Sequence, residues 1–219
     1  MCHISCAVFG MKNLTKEEIK GNRVIEIGSY DFNGSIRSII NIFEPKEYIG
    51  VDISNGPGVD VICDAENLIE TFGEKSFDIV ISTELMEHVQ DWRKVISNMK
   101  NICKENGIIM ITTRSYGFTY HAYPYDFWRF ELTDMEKIFS DFEILVLEKD
   151  QQVPGVFIKA KKPANFIEKD LSDHKLYNIL ANKRTKNLTK SHFKSLRFKR
   201  FVLRQKFEIV LGKIGLTYK

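Results

Sequence analysis

The 219-residue chain lacks several features, and each absence removes a class of protein. Its four cysteines, Cys2, Cys6, Cys63 and Cys103, show no paired metal-ligand spacing and are too few for a disulfide scaffold. A reducing, cytoplasmic setting is expected. Cys2, His3 and Cys6 lie close together in MCHISC, but no second cluster supplies the other ligands of a zinc centre, so no metal is expected. No apolar run reaches membrane-spanning length, and the start lacks the basic and apolar pattern of an export signal. Repeats and low-complexity tracts are missing too. So is a G-x-G-x-x-G turn, the usual cradle for a dinucleotide pyrophosphate.

What remains is a globular composition of 43% hydrophobic and 28% charged residues, enough for one core with an appendage. The expected division is a body over 1–165 and an extension over 166–219. Charge separates them further. Residues 183–219 carry twelve Lys and Arg against one acid, Glu208, whereas the rest of the chain carries 20 bases and 28 acids.

From residue 22 onward, short apolar runs alternate with polar, helix-like segments. RVIEIG (23–28), EYIGVDI (47–53), FDIVIST (77–83) and GIIMITT (107–113) read as strands covered on both faces, with VDVIC (59–63) as a further short one. SIRSIINIFE (35–44), ENLIETFG (66–73) and DWRKVISNMKNICKENG (91–107) read as the intervening helices, the last closing on Lys104 and Gly107. After a helix near 133–141, FEILVLEKD (142–150) and GVFIKAKK (155–162) flank a Pro-Gly turn, so they must run antiparallel. The pattern predicts an α/β, Rossmann-like, doubly wound and mostly parallel sheet that ends in an antiparallel hairpin, followed by a basic helical extension.

In such a sheet, ligands sit at the carboxyl ends of the strands. Gly28 leaves the first strand and Gly34 precedes the next helix, where backbone can approach a ligand closely. Asp52 ends the second strand and has the chemistry to accept both ribose hydroxyls; a solvated loop end is the plainer reading. Asp64 ends the next strand, with Ala65 beside it, and a carboxylate there suits an adenine amino group. Their order converges on an adenosine. Glu26 and Asp31 flank the loop GSYDFNG, and two acids would repel a pyrophosphate while favouring a ligand with an ammonium and a sulfonium.

VIEIGSYDFNG, YIGVDIS, VICDAENL, FDIVISTELMEHV and KNICKENGIIMITT together resemble the motifs of the class I S-adenosylmethionine-dependent methyltransferases, over roughly residues 22–162. The resemblance implies seven strands, with Glu26, Gly28, Ser29 and Gly34 around the methionine part and Asp52 with Ile53 at the ribose. It further implies Asp64 and Ala65 at the adenine, and Ser82, Thr83 and Glu84 on the active-site side. The family's compact glycine-rich turn is longer here, with Tyr30 and Phe32 inside it.

On the substrate side, Glu84 and His88 are four residues apart and share a face if STELMEHV is helical. His88 is then a candidate base or a packing residue. A metal set of Glu84, Glu87 and His88 lacks a third placed ligand. SYGFTYHAYPYDFWRF (115–130) holds seven Tyr and Phe plus Trp128, with His121, Asp126 and Arg129. It reads as a substrate wall with His121 as base and Arg129 as an anion contact, or as a cover for the sheet. H-x-Y-P-x-D-F-W-R-F is similar to a stretch of methyltransferases associated with surface-polysaccharide assembly, which implies a glycan hydroxyl as acceptor.

Leu196, Leu203, Phe207, Val210 and Ile214 recur at helical spacing among basic residues, a basic amphipathic helix. It suits an anionic membrane surface, RNA phosphates, a second protein or the acidic body itself; nucleic acid is disfavoured because no RNA-binding motif accompanies the charge. The expected function is S-adenosylmethionine-dependent O-methylation of a sugar or other small polar acceptor, in the cytoplasm or at a membrane surface. The alternatives are RNA methylation and a non-catalytic adenosine-ligand-binding or adaptor protein.

Overall fold

A computed structural model describes residues 3–32, 34–121 and 125–213, with side chains to residue 207. Cys2, Tyr123, Ile214 and the side chain of Val210, all invoked above, lie outside this description. In chain order the elements are α1 (Ile4–Asn13), α2 (Lys16–Ile19), β1 (Arg23–Ile27), α3 (Arg37–Ile42), β2 (Glu47–Asp52) and β3 (Val61–Ile62). A 3-10 turn at Ala65–Asn67 leads into α4 (Leu68–Phe72), then β4 (Phe77–Thr83), α5 (Trp92–Ile102), β5 (Cys103–Arg114), β6 (Trp128–Arg129) and α6 (Leu132–Ile138). The chain closes with β7 (Glu143–Lys149), β8 (Gly155–Lys161), β9 (Leu176–Asn178), β10 (Lys183–Thr185), α7 (Lys190–Lys194) and α8 (Leu196–Lys213).

The main sheet has seven strands in the order β3-β2-β1-β4-β5-β8-β7. The first five are parallel, and β8 inserts antiparallel between β5 and β7. Strand alternation divides the core in two. Ile25, Ile27, Val80, Ile109 and Ile111 face α5 and α6, while Val24, Ile79, Ile81, Ile108 and Met110 face α1 and α3. Both faces are covered, as the unbroken apolar runs require.

Three features depart from the sequence reading. The helix expected over 91–107 ends at Ile102, because Cys103 is already extended and pairs with Phe77. Lys104 therefore does not cap a helix; its Nζ binds Asp78 at 2.8 Å. The amino-terminal α1 and α2 were not anticipated, although Thr15 and Glu18 form a capping box readable from spacing alone. Nor was the second sheet, β10-β9-β6. It ties residues 171–186 to the body through Arg93, which donates to the carbonyls of Leu171 (2.8 Å) and Lys186 (2.8 Å), and through buried Asp134, which accepts from His174 and Arg184.

Candidate active site

The strand order reverses between β1 and β4, and a cavity of about 760 Å³ opens there at the carboxyl ends of the parallel strands. Gly28, Asp52, Ile53, Asp64, Ala65, Glu84, His88 and His121 all line it. At the β1 end, the amides of Gly28 and Ser29 both donate to the carbonyl of Val51 (2.9 and 3.0 Å), which folds the loop against β2. Gly28 has φ +80°, and a Cβ there would meet Leu85 at 3.0 Å. Tyr30 lies against Gly56, where a Cβ would approach the ring to 2.2 Å, so the loop's aromatic insert closes on a glycine and lines the cavity.

Glu26, Ser29, Gly34 and Thr83 are not among the lining residues. Glu26 is buried, accepting from the hydroxyls of Tyr48 (2.6 Å) and Ser35 (3.4 Å), and burial raises its carboxyl above the usual range. Asp31 caps the amide of Gly34 at 2.7 Å. The acidity of the lining comes instead from Asp52, Asp64, Glu66 and Glu84. Asp52 accepts from the amide of Ser54 and Asp64 from that of Glu66, each at 2.9 Å, so each carboxylate is oriented by a turn of its own chain.

The segment after β4 is a turn, not the helix that would have put Glu84 and His88 on one face. Glu84 has φ +56° and sends its side chain to buried Arg114, with Cys6 Sγ donating to it at 3.4 Å. Glu87 and His88 point the other way. The carbonyl of Glu87 accepts from the amides of Phe127 (2.8 Å) and Trp128 (3.2 Å), docking this turn onto the aromatic segment. That contact brings His121 to Glu87 Oε1 (3.5 Å) and its ring centroid within 4.8 Å of that of His88.

The cluster is held from behind. His88 Nδ1 donates to the carbonyl of Tyr125 (2.5 Å), and His121 Nδ1 faces Asp126 Oδ2 (3.0 Å). Asp126 is clamped by Arg129 at 2.5 and 2.6 Å, and Glu87 Oε2 accepts from Thr113 (2.8 Å). Burial alone would lower the His121 pKa, but its hydrogen bond to Asp126 and the neighbouring Glu87 and Asp126 carboxylates push it up to about 9. Burial lowers His88, more than Glu87 raises it. Arg129 is fully buried and also donates to the carbonyls of Trp128 and Thr119, so it is a brace and not the anion contact the sequence suggested.

Comparison with known proteins fits this geometry. A methyltransferase-domain family matches residues 8–145. The chain belongs to this family. No curated protein matches. A chain of the Haloferax volcanii complex formed by the Trm112 methyltransferase activator superposes with a TM-score of 0.60 at 13% identity, covering 76% of this chain and 92% of that one. The Burkholderia thailandensis 1,6-didemethyltoxoflavin-N1-methyltransferase, with 1,6-didemethyltoxoflavin and S-adenosylhomocysteine bound, gives 0.56 at 11% identity, covering 74% and 77%. A Mesorhizobium loti S-adenosylmethionine-dependent methyltransferase gives 0.54 at 15% identity, covering 71% and 96%. The resemblance to class I S-adenosylmethionine-dependent methyltransferases thus holds in family and fold.

In this methyltransferase the sequence reading missed the roof of the site. Arg197, Phe201, Arg204 and Gln205 of α8 line the cavity, and the ring of Phe201 stacks on Tyr120 at 4.2 Å with an interplanar angle of 1°. The inward residues recur at positions 197, 201, 204 and 205, a different face of the helix from the stripe of Leu196, Leu203 and Phe207 that the sequence showed, which is exposed. Three of the four inward residues are polar, so no apolar pattern marked this face. Among the described residues no helix is long and apolar enough to cross a membrane.

Proposed function

We propose that this methyltransferase carries a methyl group from S-adenosylmethionine to an oxygen of a sugar or other small polar acceptor. One observation carries the reading: a single cavity joins an acidic, partly apolar end at Asp52, Ile53, Asp64 and Ala65 to a histidine and aromatic end at His88, Phe118, Tyr120 and His121. Its volume of about 760 Å³ lies in the upper part of the range for small-molecule sites, about 300–1,000 Å³, which suits a donor and a small acceptor together. The donor set fits the nucleoside. Asp52 would accept the ribose hydroxyls, Asp64 the adenine amino group with Ala65 along the ring, and Gly28 would leave space for the amino-acid part. Bound there, the donor supplies a methyl group on a positively charged sulfur.

Glu26, Ser29, Gly34 and Thr83 would act behind the wall by fixing the loop and strand ends. Asp52, Asp64 and Glu66 gather at the nucleoside end of the lining, and their charge there favours an ammonium and a sulfonium over a diphosphate. At the other end, His88 and His121 would meet the acceptor hydroxyl. Tyr120 Oη is buried and has no hydrogen-bond partner among the described residues, so an acceptor hydroxyl would satisfy it. Phe118 and Phe201 line the cavity and would give a sugar an aromatic wall.

The outward face of α8 supports a membrane-surface acceptor. Leu196, Leu203 and Phe207 are 75%, 69% and 58% exposed, with Lys199, Arg200 and Lys206 exposed beside them. Such a face suits anionic lipid, where a lipid-linked sugar would lie.

The test is calorimetry of the full chain with S-adenosylhomocysteine, followed by transfer of labelled methyl to panels of sugars, small amines and RNA. Binding with transfer to a sugar hydroxyl is expected. Failure to bind S-adenosylhomocysteine would overturn the donor assignment, and transfer to nitrogen or RNA alone would overturn the acceptor.

A further inference from the structure

We propose that Glu87, His88 and His121 form a binding site for a divalent transition-metal ion at the acceptor end of the cavity. One oxygen of Glu87 and one ring nitrogen of each histidine lie within 4.8 Å of one another. Glu87 Oε1 is 3.5 Å from His121 Nε2 and 3.9 Å from His88 Nε2. A tetrahedral ion with ligands at about 2.0–2.1 Å holds them about 3.4 Å apart, so small side-chain adjustments would close the set.

Three further observations point to a ligand. Glu87 is fully buried, and among the described residues its Oε1 makes no hydrogen bond and faces the two imidazole Nε2 atoms at 3.5 and 3.9 Å, a costly setting for a carboxylate oxygen unless something binds it. Both histidines have Nδ1 engaged from behind, by the Tyr125 carbonyl and by Asp126, which turns both Nε2 atoms toward the same Glu87 oxygen. Ring orientation by an outer carbonyl or carboxylate is how proteins preset metal-binding histidines. Finally, His88 and His121 line the cavity, so a bound ion would keep open positions toward it.

Two imidazoles and one carboxylate suit Zn²⁺ and neighbouring first-row ions better than Mg²⁺ or Ca²⁺. The role follows from the open positions. An acceptor hydroxyl bound to the ion would lose its proton to water at neutral pH. The alkoxide oxygen would then form the new O–C bond as the methyl C–S bond breaks, and sulfur would keep the electron pair as a neutral thioether. This role deepens the O-methylation reading and rests on it, whereas the metal site itself does not.

The test uses the full chain, stripped with chelator and titrated with Zn²⁺ and with Co²⁺, whose visible spectrum reports nitrogen and oxygen ligation. One ion per chain is expected. Glu87→Gln and His121→Asn should each weaken binding at least 100-fold, Asp126→Asn about 10-fold through the lost brace, and His192→Gln not at all. Circular dichroism selects the variants that fold, and either ligand variant suffices. No stoichiometric binding, or equal binding by wild type and ligand variants, would overturn the proposal. Titration with S-adenosylhomocysteine in parallel separates the two readings. Metal binding without it leaves the ion site standing and removes the methyl donor; donor binding with chelator-resistant transfer overturns the ion's role in transfer, and donor binding with no stoichiometric ion overturns the site.

Discussion

Replacing Asp52 with alanine should weaken S-adenosylhomocysteine binding at least tenfold. Asp52 is half-buried at the end of β2, and its Oδ1 accepts from the amide of Ser54 at 2.9 Å. The turn hydrogen bond orients the carboxylate toward the cavity. A hydrogen bond to a charged group contributes about 1.5–3 kcal/mol when well buried. Partial exposure puts the ribose contacts near the bottom of that range, and about 1.4 kcal/mol is a factor of ten. Asp52→Asn keeps an acceptor for Ser54 but removes the charge, so it should fall between wild type and alanine. Calorimetry at fixed salt gives the affinities, and thermal melts confirm that all three proteins fold. If Asp52→Ala folds and binds S-adenosylhomocysteine as tightly as wild type, the nucleoside does not lie along β2 and the placement of the donor is wrong.

Other outcomes are as open to measurement. Asp134→Asn should destabilise the chain by about 1–3 kcal/mol, because buried Asp134 accepts from His174 and Arg184, and by melts the two proteins should differ by roughly 2–12 °C. Burial opposes ionisation of Asp134, but these hydrogen bonds hold its pKa below the ordinary 3.8. The stabilisation is therefore present above pH 3.8 and lost as pH falls through the lower folded value, so wild type and variant should converge in acid. Cys103 is fully buried and its thiol is pushed up to about 12, so it should resist thiol reagents at pH 8, while Cys63, 7% exposed in the cavity wall, should react faster than Cys103 and be protected by S-adenosylhomocysteine. Leu203→Glu with Phe207→Glu should abolish sedimentation with anionic vesicles while leaving S-adenosylhomocysteine affinity within about twofold, since both side chains are well exposed on the outward face of α8.

The sheet was legible because each strand is covered on both sides and so carries an apolar run that polar helices interrupt. The terminal antiparallel pair was legible from the short Pro-Gly link alone. Boundaries failed where tertiary contacts decided them: Cys103 could extend the helix by local preference, but its pairing with Phe77 recruits it to β5. Asp52 and Asp64 were singled out because strand ends at a reversal of order face a crevice, and both line the cavity. Glu26 misled. Its place before the glycine loop suggested a ligand contact, whereas its side chain is enclosed by Tyr48 and Ser35. Nothing local in EIG distinguishes the two faces of a strand that is buried on both.

The histidine end was half legible, and the reason lies in one backbone angle. Treating STELMEHV as helical grouped Glu84 with His88 and left a metal set short of a ligand. With Glu84 at φ +56° the chain turns, Glu84 goes to Arg114, and Glu87 takes its place beside His88. The third group then comes from 33 residues away, because the Glu87 carbonyl anchors Phe127 and Trp128 and so draws in His121. The buried groups leave an imbalance: Glu87 and Asp126 are two carboxylates, and Arg129 supplies one guanidinium. An uncompensated buried charge is strongly destabilising, so this cluster requires a further positive charge. A proton on His121 supplies it in the free chain. The proposed ion, shared by Glu87, His88 and His121, would supply it in the same place, with coordination positions left open on the cavity side where the acceptor would enter.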